Sequence, residues 1–175
     1  MSAWAGSMTS PPVSVVVTDA NVLINVCHIG QLPLLGGLTP YRFFVPEEVI
    51  NEISEPAQQA EVESALAQGL IARTVIDSIE ALALFGTLRD LMGRGEAACL
   101  ALAATQGWII ASDEKRRFRR EVLERIGAAR IVDTASLLRH AISIERVSVA
   151  EADGFKAVLE TRRFVMPFAS FGDLA

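Results

Sequence analysis

Short runs rich in Val, Ile and aromatic residues recur along this chain, each closed by a turn signal and followed by a longer stretch with helical spacing of its apolar residues. This alternation predicts an α/β domain, because two parallel strands need a crossover long enough to hold a helix. The predicted strands cover residues 13–18, 42–45, 71–76, 108–111 and 130–132, a mainly parallel five-stranded set. The intervening helices cover 20–29, 46–53, 58–68, 78–92, 96–105, 114–126 and 134–141, and a last one spans 149–161. Gly69 and Gly107 read as helix stops, Pro46 as a first-turn residue, and Asp133 or Thr134 as a cap.

With 175 residues, 51% of them apolar, the chain has the material for one domain with a substantial core. Residues 1–12, rich in Ser, Ala and Pro, read as a flexible leader in which Met8 is an alternative start and Trp4 can dock. Residues 13–163 form the domain. The tail, 164–175, carries Phe164, Phe168 and Phe171 among small residues and is expected to pack on the domain or on a partner. The first twelve residues lack a basic segment, and 13–17 is too short to span a bilayer, so the reading is cytoplasmic with no membrane contact. Cys27 and Cys99, far apart in apolar helical patterns, read as buried free thiols rather than a disulfide or a zinc motif. A net charge of −5 excludes binding of nucleic acid through overall positive charge, but leaves room for basic residues gathered on one rim.

Four acids stand out by position. Asp19 is the only Asp, Glu, Lys or Arg in the first 41 residues and directly follows an apolar strand pattern, where ionisation is costly without a cation or donors. Asp113 follows the fourth strand pattern in the same way, so both carboxylates face the crevice beyond the carboxyl ends of the strands. Glu96 is the only charged residue between Gly95 and Ser112. It can also be read simply as an acid at a helix N-terminus, worth about 0.3–1 kcal/mol. Glu52 lies one turn after Glu48 and, taken alone, reads as a solvated surface acid. Several carboxylates in one cleft repel one another unless Mg²⁺ or Mn²⁺ neutralises them, and such ions can activate water against a phosphodiester.

The segments 17–24 (VTDANVLI), 45–53 (VPEEVINEI), 95–98 (GEAA) and 111–113 (ASD) resemble, in order and interval, the PIN-domain nucleases, from about Val15 to the final helix. The extension through Asp153-Gly154-Phe155 resembles a subgroup related to VapC-type toxins. The resemblance implies a doubly wound three-layer α/β/α fold around a central, mainly parallel sheet. It also implies a metal-dependent ribonuclease for single-stranded RNA using Mg²⁺ or Mn²⁺, with a small antitoxin as partner and a homodimeric state. Carried over by residue, Asp19, Glu52, Glu96 and Asp113 match the acidic quartet. Asp19, Glu96 and Asp113 are then metal ligands, with Glu52 completing the shell or positioning water. Asn21 matches a small polar position that can orient Asp19, and Ser112 can hydrogen-bond within the site. Arg116 and Arg117 stand where some relatives carry a further acid, and Glu114 is expected to point elsewhere from a helix, so one ion is expected rather than two.

Other features have plainer readings. Lys115, Arg116, Arg117, Arg119 and Arg120 read as a solvated helix surface, with Lys115 and Arg116, at the helix start, available to RNA phosphates; Arg94 is a second phosphate-contact candidate. His28 and His140 read as structural. Leu82, Leu84, Phe85, Leu88 and Leu91 give a helix apolar on more than one side, either core or a partner surface. Two competing functions are a catalytically idle module that binds RNA or protein, and a haloacid-type phosphatase. The phosphatase needs a second Asp where this chain has Asn21.

Overall fold

The computed structural model describes residues 12–174, so the leader expected over 1–12, with its Met8 and Trp4 readings, lies outside the described residues apart from Pro12. The chain runs β1 (Ser14–Thr18), α1 (Ala20–His28), α2 (Leu32–Leu35), β2 (Tyr41–Pro46), α3 (Glu47–Glu52), α4 (Pro56–Ala67) and β3 (Ala72–Thr74). It continues through α5 (Ile79–Leu88), α6 (Arg94–Gln106), β4 (Ile109–Ala111), α7 (Arg117–Arg125), β5 (Ile131–Val132), α8 (Thr134–Ser143) and α9 (Val149–Thr161). The five strands are all parallel in the order β3-β2-β1-β4-β5, with Val16 opposite Phe43 and Thr18 opposite Ala111. The order reverses at β1, which places the crevice for a ligand at the ends of β1 and β4.

Helices cover both faces of the sheet. On one side α1 packs with α2, α4, α8 and α9; on the other, α6 packs with β1, β2, β4, α5 and α7, while α3 touches both α1 and α6. Every residue of α6 from Ala97 to Ala103 is buried. Four alanines and Cys99 among those seven let the helix lie close on the sheet while its two leucines fill the gaps, the close packing that cores require. Gly107 ends α6 in a left-handed conformation at φ 73°, which a residue without a Cβ adopts at little cost. Cys27 and Cys99 are both free and buried.

The structure departs from the sequence reading at several ends. Pro46 closes β2 and precedes α3 rather than entering its first turn, and α4 begins at Pro56. Leu32–Leu35 forms a short helix in a stretch to which the sequence reading assigned no element. The predicted break at Gly93-Arg94-Gly95 is the start of α6, capped by Gly93. The largest difference follows β4: α7 starts at Arg117, so Glu114, Lys115 and Arg116 lie in a loop. Asp113, which would cap a helix starting at 114, is instead bonded to Thr134 and Asn25, so no side chain caps a start there.

The tail folds back on the domain. Asp153 on α9 accepts hydrogen bonds from Ser170 Oγ (2.6 Å) and the Phe171 amide (2.8 Å), and Phe168 meets the buried Phe171 edge to face at 4.9 Å. His140 has a structural partner, with Nε2 2.7 Å from the Thr39 carbonyl oxygen and its ring tilted against Tyr41. On α5, Ala81, Phe85 and Leu88 are buried while Ile79 and Leu82 face outward.

Candidate metal centre

β1 delivers Asp19 to the crevice, where it caps α1. Its Oδ1 accepts from the Ala20 amide at 2.6 Å and its Oδ2 from Ser112 Oγ at 3.1 Å. The residue is 3% exposed. Burial, and to a lesser degree the nearby carboxylates of Glu96 and Glu52, push its carboxyl up to about 7 despite those two donors.

Glu52 and Glu96 reach the same place from α3 and α6. Glu96, at the third position of α6, reaches back to the start of the helix, its Oε2 accepting from the Gly93 amide at 3.0 Å. Its carboxyl is raised by burial and by Glu114 and Glu52, and lowered by the Gly93 bond and Arg117. Glu52 is exposed, with Oε1 accepting from the Gly95 amide at 2.7 Å. Gly95 allows this approach, since a Cβ there would stand 2.6 Å from Glu52 Oε2. Beneath them sits Cys99, its thiol pushed far up by burial and then by Asp19, Glu52, Glu48 and Glu96. Glu48 thus belongs to the same neighbourhood, and its Oε2 is the buried side-chain oxygen that finds no hydrogen-bond partner among the described residues.

Asp113 is placed differently from the expectation that it shares this cluster as a metal ligand. Its Oδ1 accepts from the Thr134 amide (2.8 Å), and its Oδ2 from Thr134 Oγ1 (2.6 Å) and Asn25 Nδ2 (2.8 Å). Burial raises its carboxyl, and these three donors pull it back. The acid that turns toward Glu96 is its neighbour Glu114. Because 114 lies in a loop and not on a helix, its side chain can swing inward, and Asn21 Nδ2 donates to its Oε1 at 3.3 Å.

The remaining candidates occupy distinct places. Asn21 hydrogen-bonds to the loop, accepting from the Asp113 amide at 3.2 Å, rather than to Asp19. Ser112, expected to hydrogen-bond within the site and to touch substrate, is 1% exposed and holds Asp19 while accepting from the Glu114 amide at 3.2 Å, so it lies beneath the site as a support. Lys115 and Arg116 are exposed on the loop, not on a helix start as expected. Arg94 is exposed, with its guanidinium 6.0 Å from the Phe85 ring centroid. Sequence reasoning did not single out Asn25, the bonds from Thr134 to Asp113, the close approach at Gly95 or the bond that Arg117 donates to the Leu91 carbonyl at 2.6 Å. The polar Asn25 in an otherwise apolar helix pattern was the available signal for the first of these.

Among the described residues no three acidic, His or Cys side chains converge closely enough to hold one ion as they stand. The donor set nevertheless fits a hard divalent cation, being carboxylate, hydroxyl and amide oxygens. The orphaned Glu48 oxygen and the raised Asp19 and Glu96 carboxyls mark a cleft short of positive charge. Glu52 and Glu96 each spend one oxygen on a single backbone amide and keep the other free.

The sequence profile of the PIN domain matches residues 15–152. No curated protein matches the chain. Among solved structures, PAE2754 from Pyrobaculum aerophilum is similar at 16% identity and a TM-score of 0.45, over 75% of this chain and 98% of that one.

Proposed function

This chain belongs to the PIN-domain family, and from that premise we propose that it is a metal-dependent endoribonuclease that cuts single-stranded RNA, acting as the toxin of a toxin–antitoxin pair. The observation that carries the reading is the crowding of Asp19, Glu52, Glu96 and Glu114 at the switch point of the sheet, with Asp19 held up to about 7. Asp19, Glu96 and Glu114 would hold Mg²⁺ or Mn²⁺, with Glu52 completing the shell. The ion supplies Lewis acidity to an attacking water and neutralises charge gathering on the phosphodiester.

The chain's own groups do the rest. Ser112 and the Ala20 amide fix the Asp19 carboxylate, and Asn21 steadies Glu114. Glu52, exposed and tethered by one amide, is suited to accept the proton that water gives up. Asp113 serves as a positioning residue that ties the loop carrying Glu114 to the N-terminus of α8. Lys115 and Arg116 take RNA phosphates on the rim. No helix of the described residues is long and apolar enough to cross a membrane. A cytoplasmic homodimer held in check by a small antitoxin belongs to this reading.

A panel of single-stranded RNAs incubated with Mn²⁺ or EDTA tests it. Cleavage is expected with Mn²⁺, abolished by EDTA, and reduced about 100-fold or more in Glu96→Gln. Cutting that persists unchanged in that variant belongs to a contaminant and sinks the reading. A second reading, an idle module, draws on the absence of a ready three-ligand group among the described residues. Mn²⁺ titration separates the two, since an ion bound at 100 times its Kd raises folding stability by about 2.7 kcal/mol and an idle module gains nothing.

A further inference from the structure

We propose that the segment Phe164 to Pro167 completes a groove that receives a nucleotide of single-stranded RNA beside the acid cluster, its phosphate on Lys115 and Arg119 and its base against Val165. The proposal rests on the ribonuclease reading of the adjoining acids.

The groove, about 350 Å³, is lined by Glu114 and Lys115 from the loop before α7, by Arg119 from α7, by Phe164, Val165 and Pro167 from the tail, and by Asp133. It is therefore continuous with the acid cluster at Glu114, where a strand lying across the site must continue. The charges along it are not equally available. Asp133 is tied to α8 through Oδ1, which accepts from the Ser136 amide (2.8 Å) and Ser136 Oγ (2.7 Å), and both oxygens of Asp113 are taken as described. Lys115 and Arg119 carry no hydrogen bond or ion pair among the described residues, whereas Arg117, Arg125 and Arg130 are each engaged. Two cations without a partner among the described residues thus line the groove beyond Glu114, although the chain as a whole is acidic.

The wall from the tail is apolar and held in place. Arg163 turns the chain off the end of α9 in a left-handed conformation, φ 65°. Met166 is buried and Asp153 pins Ser170 and Phe171, so Val165, 62% exposed between those anchors, is presented rather than tucked away. An apolar face and two such cations in one groove match a nucleotide, which offers a flat base on one side and a phosphate on the other. This wall lies beyond residue 152, where the match to the PIN domain ends.

The test measures anisotropy of a labelled single-stranded RNA of about ten nucleotides on full-length Glu96→Gln protein with Mn²⁺. Adding Arg119→Ala is expected to weaken binding about tenfold and to lower the salt slope by about 1. Adding Val165→Ser is expected to weaken it about threefold, an effect absent on an abasic oligomer of the same length. Val165 is exposed, so that variant should melt as its parent does. If neither variant changes RNA affinity, the groove serves another occupant, such as a peptide, and the proposal is overturned. If the wild-type chain cuts no RNA while both variants still lose affinity, the groove stands and the nuclease reading falls.

Discussion

Asp19 and Asp113 stand just beyond the ends of neighbouring parallel strands, joined there by the Asp19 amide donating to the Ala111 carbonyl at 3.0 Å. Asp19 has two donors and two acidic neighbours, Glu96 and Glu52, within electrostatic reach. Asp113 has three donors, two of them from the first residue of α8. One carboxylate is left with an electrostatic deficit and the other is used as a latch. Position at a sheet edge alone does not say which role an acid takes; the donors that converge on it do.

The largest effect that would break this contrast is at Asp19. Its carboxyl lies at about 7 in the fold against an ordinary 3.8, so the fold favours the protonated form. The corresponding stability is fully present below pH ~3.8 and is lost as pH rises toward ~7, a change of a few kcal/mol. Asp19→Asn should therefore cost about 100-fold or more in RNA cleavage while raising the metal-free melting temperature at pH 8. It should also flatten the fall in melting temperature between pH 4 and 7. A variant that melts lower than wild type at pH 8 would mean that Asp19 is stabilising as a carboxylate, and the deficit would be fictitious.

Asp113 and Glu114 give the next test, because they should separate stability from metal binding. An amide at 113 presents N–H to donors, so Asp113→Asn loses part of a three-bond network and should cost about 2 kcal/mol, read by denaturant unfolding. The Glu114 side chain is exposed and, among the described residues, hydrogen-bonded only to Asn21. Glu114→Gln should leave unfolding unchanged and weaken Mn²⁺ binding about tenfold. If the two variants exchange phenotypes, Asp113 is the ligand and the latch assignment is wrong.

The alternation of parallel strands with helices was legible because it follows from periodicity, with the apolar runs at Val15 to Val17 and Ile109 to Ala111 leaving few alternatives to strands, whereas the two-faced packing was implied by the family resemblance. Asp19 was legible for the same reason, a lone charge at the end of such a run. The roles of Asp113 and Glu114 were not. They turn on whether helix α7 begins at 114 or at 117, and helix ends depend on capping partners that a one-dimensional pattern does not locate. The groove wall was likewise hidden, since Val165 looks like any tail residue until Arg163, Met166 and Asp153 fix its direction.

The smallest expected effect is at Gly95, and it bears on Glu52. A Cβ on residue 95 would stand 2.6 Å from Glu52 Oε2 and 2.9 Å from its Cδ and Oε1. The end of an exposed, flexible side chain can yield, so Gly95→Ala should fold. It loses the bond from the Gly95 amide to Glu52, while alanine inside a helix gains roughly 0.5–1 kcal/mol over glycine. These terms oppose each other, and the net change in stability should stay below about 1 kcal/mol. Glu52 itself is displaced from the cluster, so cleavage should drop several-fold with little change in melting temperature. Wild-type cleavage in Gly95→Ala would remove Glu52 from the site and leave Asp19, Glu96 and Glu114 to act without it, whereas failure to fold would make the close approach at Gly95 a requirement of packing rather than of function.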